Sequence, residues 1–370
     1  MRVRALARVN LAAIERNAAL LARASPQLCA VLKADGYGHG AVECARAALA
    51  GGAGTLAVAT ASEAAELRAA GIDRTVIVLG ALTRDELVQA LAARGEVVAW
   101  TDALLDWVAA AGGGRVHVKL DTGMGRLGTR DGALADRLVA RVLATDGLEL
   151  AGVMTHFATA DEPDLRFLEE QSARFSAWLE PLRERHGPIM AHAENSAALL
   201  RTGHARFDMA RCGVALYGLD PFGEDAAARG LEPALELRSW IAALKPCAPG
   251  ESAGYGRRFI AAAGTVVGVL PIGYADGIRR VLSPGADVLI AGVRRPLAGT
   301  ISMDNLAVEL GPEHRVEVGS EAVLIGTSGG ERVSAEELAR LAGTINYEIT
   351  CALSPRVQRE YHRDGEPLAA

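Results

Sequence analysis

The chain alternates short apolar runs with longer stretches in which apolar residues recur every three or four positions. Runs of four to eight apolar residues, bounded by Gly, Pro or polar clusters, predict buried strands; the 3.6-residue recurrence predicts helices packed against them. Such runs fall at 28–33, 55–59, 75–79, 97–100, 115–120, 149–155, 189–194 and 207–211. Each is followed by a helical or turn-like segment. Two of these helices open on capping boxes, Thr60-x-x-Glu63 and Thr83-x-x-Glu86, in which hydroxyl and carboxylate satisfy N–H groups of the first turn. About eight strand–helix units in roughly 200–250 residues predict a TIM barrel, a (β/α)8 fold. A doubly wound open sheet shares the same period and is the alternative.

The pattern changes near Gly230. From Leu235 onward, apolar runs at 265–270, 288–290, 306–310 and 323–325 are punctuated by Gly, Pro and Asp. They predict a mostly β domain with one helix near 335–341. At the other end, residues 3–9 alternate apolar with basic positions, which reads as a strand. Asn10 is placed to cap a helix whose apolar face is Leu11, Ile14, Ala18 and Leu21, with Pro26 just beyond it. The expected division is a barrel over 10–234 and a β domain over 235–370, to which the strand 1–9 is added.

Composition narrows the class. With 370 residues, 50% hydrophobic and 23% charged, the chain has the balance of an ordinary globular protein with room for two domains. A net charge of −6 argues against nucleic acid as a partner, because phosphate backbones select basic surfaces. Asn10, Glu15 and Arg16 interrupt any apolar run behind Arg2, Arg4 and Arg8, so no secretory signal is read there. No apolar run approaches membrane-spanning length, and no membrane partner is expected. The five cysteines form no CxxC pair and their number is odd, which suggests reduced, mostly buried thiols and a cytoplasmic location.

Candidate chemistry begins at Lys33. It ends a buried run and is followed by Gly36, Gly38 and Gly40 at alternate positions. Removing an ammonium group from water is expensive, so such a lysine is either a snorkelling surface residue or a catalytic amine. Gly36-x-Gly38-x-x-Ala41 also fits a loose dinucleotide fingerprint, but its only acidic candidate, Glu63, falls at a helix start rather than at a strand end. In a barrel, chemistry gathers at the C-terminal ends of the strands. Those ends carry Lys33 and Tyr37, then His117, Lys119, Asp121 and Arg126, then His156, then His192, Glu194, Asn195 and Ser196, then Arg211, Gly213 and Val214. Metal hydrolysis would draw on the histidines and carboxylates, yet no HxH pair ends the first strand and no HExxH lies on a helix, so no metal is expected. Phosphate binding fits better. Asn195-Ser196 stands at a helix start and Gly213-Val214 offers backbone amides in the loops after strands seven and eight, where barrels often hold phosphate. A plain helix cap at Asn195-Ser196 is the alternative.

Val31-Leu32-Lys33-Ala34-Asp35-Gly36-Tyr37-Gly38-His39-Gly40 resembles the cofactor-lysine segment of alanine racemases, which use pyridoxal phosphate (PLP). The resemblance extends along nearly the whole chain. Lys119-Leu-Asp121-Thr-Gly-Met-Gly-Arg126 is similar to the family's barrel motif, which implies a carbamylated Lys119 ordering Arg126 against the substrate carboxylate. Thr155-His156-Phe157-Ala158 resembles the segment whose histidine contacts the catalytic tyrosine, and Arg211-Cys-Gly-Val-Ala-Leu-Tyr217-Gly the one whose arginine faces the pyridine nitrogen. Gly254-Tyr255-Gly256 resembles the segment of the catalytic tyrosine. Tyr274, Met303 and Asp304 lie in signatures that line the substrate entry. Tyr347 matches a tyrosine that contacts phosphate, with Tyr37, Asn195, Ser196, Gly213 and Val214 completing the cofactor contacts. Ser302 and Thr300 depart from the family, standing where many members have Cys and Arg.

What the resemblance implies is an isomerase: a homodimer with shared active sites that interconverts L- and D-alanine, supplying D-alanine for peptidoglycan. PLP would acidify the Cα–H, with Lys33 and Tyr255 as the two bases and His156 and Arg211 tuning them. Racemases of serine or lysine, and PLP decarboxylases of the same architecture, are the alternatives. A methylene more or less in a pocket is a small energetic difference.

Overall fold

In the computed structural model, which describes residues 3–368, the strand–helix alternation folds as the period predicts. The first strand of the chain is Leu6–Asn10 (β1). Then come Leu28–Val31 (β2), Thr55–Val58 (β3), Thr75–Val78 (β4), Gly95–Ala99 (β5), Gly114–Lys119 (β6), Leu148–Met154 (β7), Ala191–His192 (β8) and Ala210–Cys212 (β9). Among the described residues, β2 to β9 form one parallel sheet of eight strands in the order β8-β7-β6-β5-β4-β3-β2-β9. Backbone bonds from Asp208 N to Ala191 O (3.0 Å) and from Arg211 N to Glu194 O (2.9 Å) bring the two edges together. The sheet is therefore a nearly closed barrel, and the open-sheet alternative is set aside. The run expected at 189–194 narrows to two residues, and Asn195, three residues beyond them, caps the helix Ser196–Thr202. Arg2, one of the N-terminal basic residues, lies outside the described residues.

The chain divides into two compact units. One comprises Ile14–Gly36 and Ala41–Leu216 and contains the barrel. The other comprises Met1–Ala13, Tyr37–Gly40 and Tyr217–Ala370. Its main sheet runs Val293–Pro296, Asp287–Ile290, Glu321–Ser328, Leu235–Trp240 (β10), β1, Gln358–Arg363, Glu366–Pro367. Here β1 lies antiparallel to β10 and parallel to Gln358–Arg363. A three-stranded sheet of Ala243–Cys247, Thr265–Leu270 and Leu306–Glu309 adds to it. The helix expected near 335–341 is Ala335–Ala342, and a second one, Asn346–Cys351, follows it.

The segment after Lys33 is the main departure from the expected pattern. Ala34, Asp35, Gly36 and Tyr37 all have φ between 53° and 61°. They form one left-handed turn, closed by Gly36 N on Leu32 O at 2.7 Å. Each non-glycine residue in that conformation costs about 1–2 kcal/mol, so the turn needs outside support. Glu63 provides some of it. Its carboxylate completes the cap with Thr60 and accepts the Ala34 N–H at 2.6 Å. That employment, rather than a nucleotide ribose, is what Glu63 serves. Glu63→Ala is expected to lower stability by about 1–2 kcal/mol. The check is a lower urea midpoint with an unchanged slope.

The alternate glycines are explained in the second unit. A Cβ at Gly38 would lie 2.1 Å from the carbonyl oxygen of Thr350, and one at Gly40 would lie 1.9 Å from the Tyr361 hydroxyl. Both positions also have φ above +80°, so only glycine fits. No fingerprint function is needed to account for them.

Candidate active site

Within the barrel unit, the strand ends bring one cluster together. Lys33 follows β2, Lys119 ends β6, His156 lies two residues after β7, His192 ends β8 and Arg211 lies in β9. Arg211 is the centre. It is only 4% exposed, and its guanidinium donates to four acceptors. Nη1 donates to His192 Nδ1 at 2.7 Å; Nη2 donates to Thr155 O (2.9 Å), His156 Nδ1 (3.1 Å) and Ala193 O (3.2 Å). A guanidinium has no acceptor site and keeps its protons. Both imidazoles therefore present a bare Nδ1 to it.

Electrostatics agree with that proton arrangement. Burial, with the Arg211, Lys119, Arg126 and Lys33 charges behind it, holds His156 well below the usual histidine range. Burial and the Arg211 charge do the same for His192. Both are neutral near pH 7, and each carries its proton on Nε2. His156 is also held through its backbone: Gln171, fully buried, donates to His156 O at 3.0 Å and accepts from Ala158 N at 2.8 Å. The sequence patterns did not single out Gln171, which sits on the long helix Arg166–His186.

Lys119 is buried, and burial together with Arg211, Arg126 and Lys33 brings its amine down to about 8 against the pull of Asp121. Arg126 itself is exposed on the loop after β6. Asp121 is occupied with the N–H groups of Gly123 and Gly125 and with Arg130. At the candidate phosphate cradle, Asn195 Oδ1 accepts Ala198 N at 2.9 Å, so its side chain serves as the helix cap. Ser196 Oγ accepts Gly213 N at 3.1 Å, and Ser196, Gly213 and Val214 are all buried. The donor set fits an anionic cofactor such as pyridoxal phosphate. Four cationic groups, Lys33, Lys119, Arg126 and Arg211, act together on His156, and an anion among them would relieve their mutual repulsion.

The second unit carries the remaining candidates. The rings of Tyr37 and Tyr347 lie 6.1 Å apart, and that of Tyr37 lies 5.0 Å from Tyr217. Tyr255 is 71% exposed and Met303 52%, both large side chains facing solvent. Thr300, at its departure from the family pattern, donates its hydroxyl to Tyr255 O at 2.9 Å and so fixes the backbone of that tyrosine. Ser302, the other departure, bonds through its backbone atoms. Tyr274 N donates to Ser302 O, and Ala275 N donates to Met303 O, both at 3.0 Å. These bonds join the Tyr274 turn to the Met303 loop. Asp304 is bound by Arg356 at 2.7 Å, and Arg356 in turn reaches the fully buried Asp276, which also pairs with Arg4.

Among the described residues no helix is long and apolar enough to cross a membrane, and no group of three or more His, Cys, Asp or Glu side chains is arranged to hold a metal ion. Cys29 and Cys212 are buried beside the site, and burial pushes both thiols up to about 12. They are packing residues, not nucleophiles.

Residues 9–221 match the family described as alanine racemase, N-terminal domain, and residues 234–361 the one described as alanine racemase, C-terminal domain. The chain is 41% identical to the alanine racemase of Halalkalibacterium halodurans, over 98% of this chain and 96% of the relative. Identity to that of Treponema pallidum is also 41%, covering 96% and 98%. Among solved structures, alanine racemase from Streptomyces lavendulae, a D-cycloserine producer, superposes with a TM-score of 0.92 at 36% identity, over 98% of both chains. That from Bacillus anthracis with bound L-Ala-P gives 0.90 at 34% identity, over 100% of this chain and 97% of the other.

Proposed function

The chain belongs to the alanine racemase family, and from that premise we propose that it interconverts L-alanine and D-alanine with pyridoxal phosphate as cofactor. The observation that carries this reading is the buried Arg211, donating at once to His192 and His156. Bound at Lys33, the cofactor withdraws electrons from the amino acid and makes its Cα–H acidic. The protein's part is to accept that proton on one face and to supply another proton on the opposite face. Lys33 is assigned to one face and Tyr255 to the other. Arg211 cannot give up a proton, so it presents only donors to the pyridine nitrogen. His156, kept neutral with its proton on Nε2, can donate to a tyrosine oxygen and favour its deprotonated form below the usual value of about 10.

Tyr37, Tyr347, Asn195, Ser196, Gly213 and Val214 are assigned to the cofactor phosphate, and Arg126, Tyr274, Met303 and Asp304 to the substrate. The exposure of Tyr255 and Met303 supports a homodimer in which these groups complete the partner's site, since large apolar surfaces left in solvent mark an interface. The reading assigns 10–234 to the cofactor domain and 235–370, with 1–9, to the second domain. It places the enzyme in the cytoplasm and its D-alanine in peptidoglycan synthesis. The test is purified protein given L-alanine, L-serine or L-lysine, followed by chiral separation. Alanine should be racemised fastest. A faster conversion of serine or lysine, or release of CO2, would replace the proposal with one of its alternatives.

Lys119 is assigned a carbamate. Its neutral amine attacks CO2, forming the N–C bond and releasing one proton, and the product is an anion beside Arg126. At pH 7 an amine with a pKa of about 8 is roughly one-tenth neutral, far more than an ordinary lysine. Occupancy should rise with pH through about 8. Protein equilibrated with 13C-bicarbonate should show a carbamate carbon signal that Lys119→Ala removes; identical spectra for the two proteins would refute the modification.

A further inference from the structure

The interior of a barrel is ordinarily filled by layers of branched aliphatic side chains. Here a polar column runs through it. His117, on β6, is 1% exposed and stacks edge-on against His192, which is fully buried, with ring centroids 4.9 Å apart. His192 Nε2 lies 2.9 Å from His117 Nδ1, and His117 Nε2 lies 2.7 Å from Glu96 Oε2. Glu96, on β5, is 6% exposed. Its other oxygen accepts from Arg115, which also pairs with Glu149 in a more exposed position. The column thus connects Arg211 to an ion pair that reaches solvent.

The direction of every hydrogen bond in the column is determined. Arg211 can only donate, so His192 Nδ1 accepts and its proton is on Nε2. That proton is donated to His117 Nδ1, which leaves the His117 proton on Nε2. It is donated in turn to Glu96, an acceptor at both oxygens. Burial raises the pull of Glu96 toward its neutral form, but His117 and Arg115 outweigh it and hold the carboxyl below the usual range. An obligate donor at one end and an obligate acceptor at the other make the polarity self-consistent. Reversing it would set a His192 N–H against an Arg211 N–H.

We propose that Glu96 and His117 are positioning residues for racemisation: they lock the tautomer of His192, and through it hold the Arg211 guanidinium in the orientation that serves His156 and the cofactor. This inference rests on the proposed function for its role in catalysis, whereas the tautomer lock itself stands on the hydrogen bonds alone. A buried carboxylate is a costly way to fill a core. Replacing a whole buried ion pair by apolar side chains is often neutral or stabilising, whereas removing one partner leaves the other's donor buried and unpaired. The test is therefore whether kcat follows the acceptor at position 96.

The experiment uses the holoenzyme. In protein labelled with 15N-histidine, the ring nitrogen shifts should show His117 and His192 neutral, each with its proton on Nε2. A proton on Nδ1 of either would overturn the lock, whatever reaction the enzyme catalyses. Glu96→Leu, which leaves the buried His117 N–H without an acceptor, should lower the melting temperature, and kcat for alanine, measured well below that temperature, should fall at least about tenfold with little change in KM. Glu96→Gln, whose oxygen can still accept from His117, should recover most of that loss. Equal kcat in Glu96→Leu and the wild type would overturn the positioning role, as would a loss of kcat in Glu96→Gln as large as that in Glu96→Leu. If Glu96→Leu does not fold, the wild-type nitrogen shifts still decide the tautomer lock, and Glu96→Asp, whose shorter side chain draws the carboxylate back from His117, takes its place for the positioning role with the same expected fall in kcat. A wild type that shows the predicted tautomers but leaves alanine unchanged would instead indict the proposed function.

Discussion

Lys33→Ala is expected to abolish alanine racemisation, with kcat down at least about a thousandfold, because one side chain serves two roles. In the proposed function it is both the amine that anchors the cofactor and the base on one face of Cα. Its place supports both roles. The amine follows directly on a buried strand, at the head of a left-handed turn that Glu63 holds through the Ala34 N–H. In the proposed function Lys119 is a carbamate anion and cannot substitute for the amine. Borohydride reduction of the wild type should leave a cofactor-sized mass adduct on the peptide containing Lys33. Lys33→Ala should carry none. An adduct on Lys119 would reverse the roles assigned to the two lysines, and a protein that takes up no cofactor at all would remove the PLP reading.

Mixing two inactive proteins should restore activity. Racemisation needs a base on each face of one carbon, and the two assigned bases lie in different units, Lys33 in the barrel and Tyr255 in the β unit. Under a two-fold axis each β unit can serve its partner's barrel, generating two identical sites. Homodimers of Lys33→Ala and of Tyr255→Ala should each be inactive. After chain exchange of equal amounts, half the dimers are mixed, and each mixed dimer has one site with both bases intact. Roughly a quarter of the wild-type sites should return. No recovery, once exchange is verified by a mass-tagged chain, would mean that the two residues act within one chain or that Tyr255 is not a base.

The barrel was legible because its signal is local and repeated. Buried strands such as Gly95–Ala99 and amphipathic helices such as the one after Asp131 carry their period in the sequence, and the capping boxes at Thr60 and Thr83 formed as written. Much of the candidate site was legible for a related reason. Once a barrel is assumed, Lys33, Lys119, His156 and Arg211 all fall at or near strand ends, and function in barrels concentrates there. The left-handed turn after Lys33 was not legible. Ala34, Asp35 and Tyr37 have no intrinsic preference for positive φ, and what supports them includes a carboxylate 29 residues away at Glu63.

By itself the sequence determined the alternation of strands and helices that makes the barrel, and the residue types available at its mouth. The tertiary structure alone decided which of those residues meet. Glu96, His117 and His192 are separated by 21 and 75 positions and share no motif. They touch because barrel closure turns three strands inward onto one axis. Protons are decided at the same level. No pattern of letters states on which nitrogen His192 carries its hydrogen. That follows only when Arg211, a donor with no acceptor site, is packed within 2.7 Å of one nitrogen, and the chain to Glu96 gives the other a place to donate.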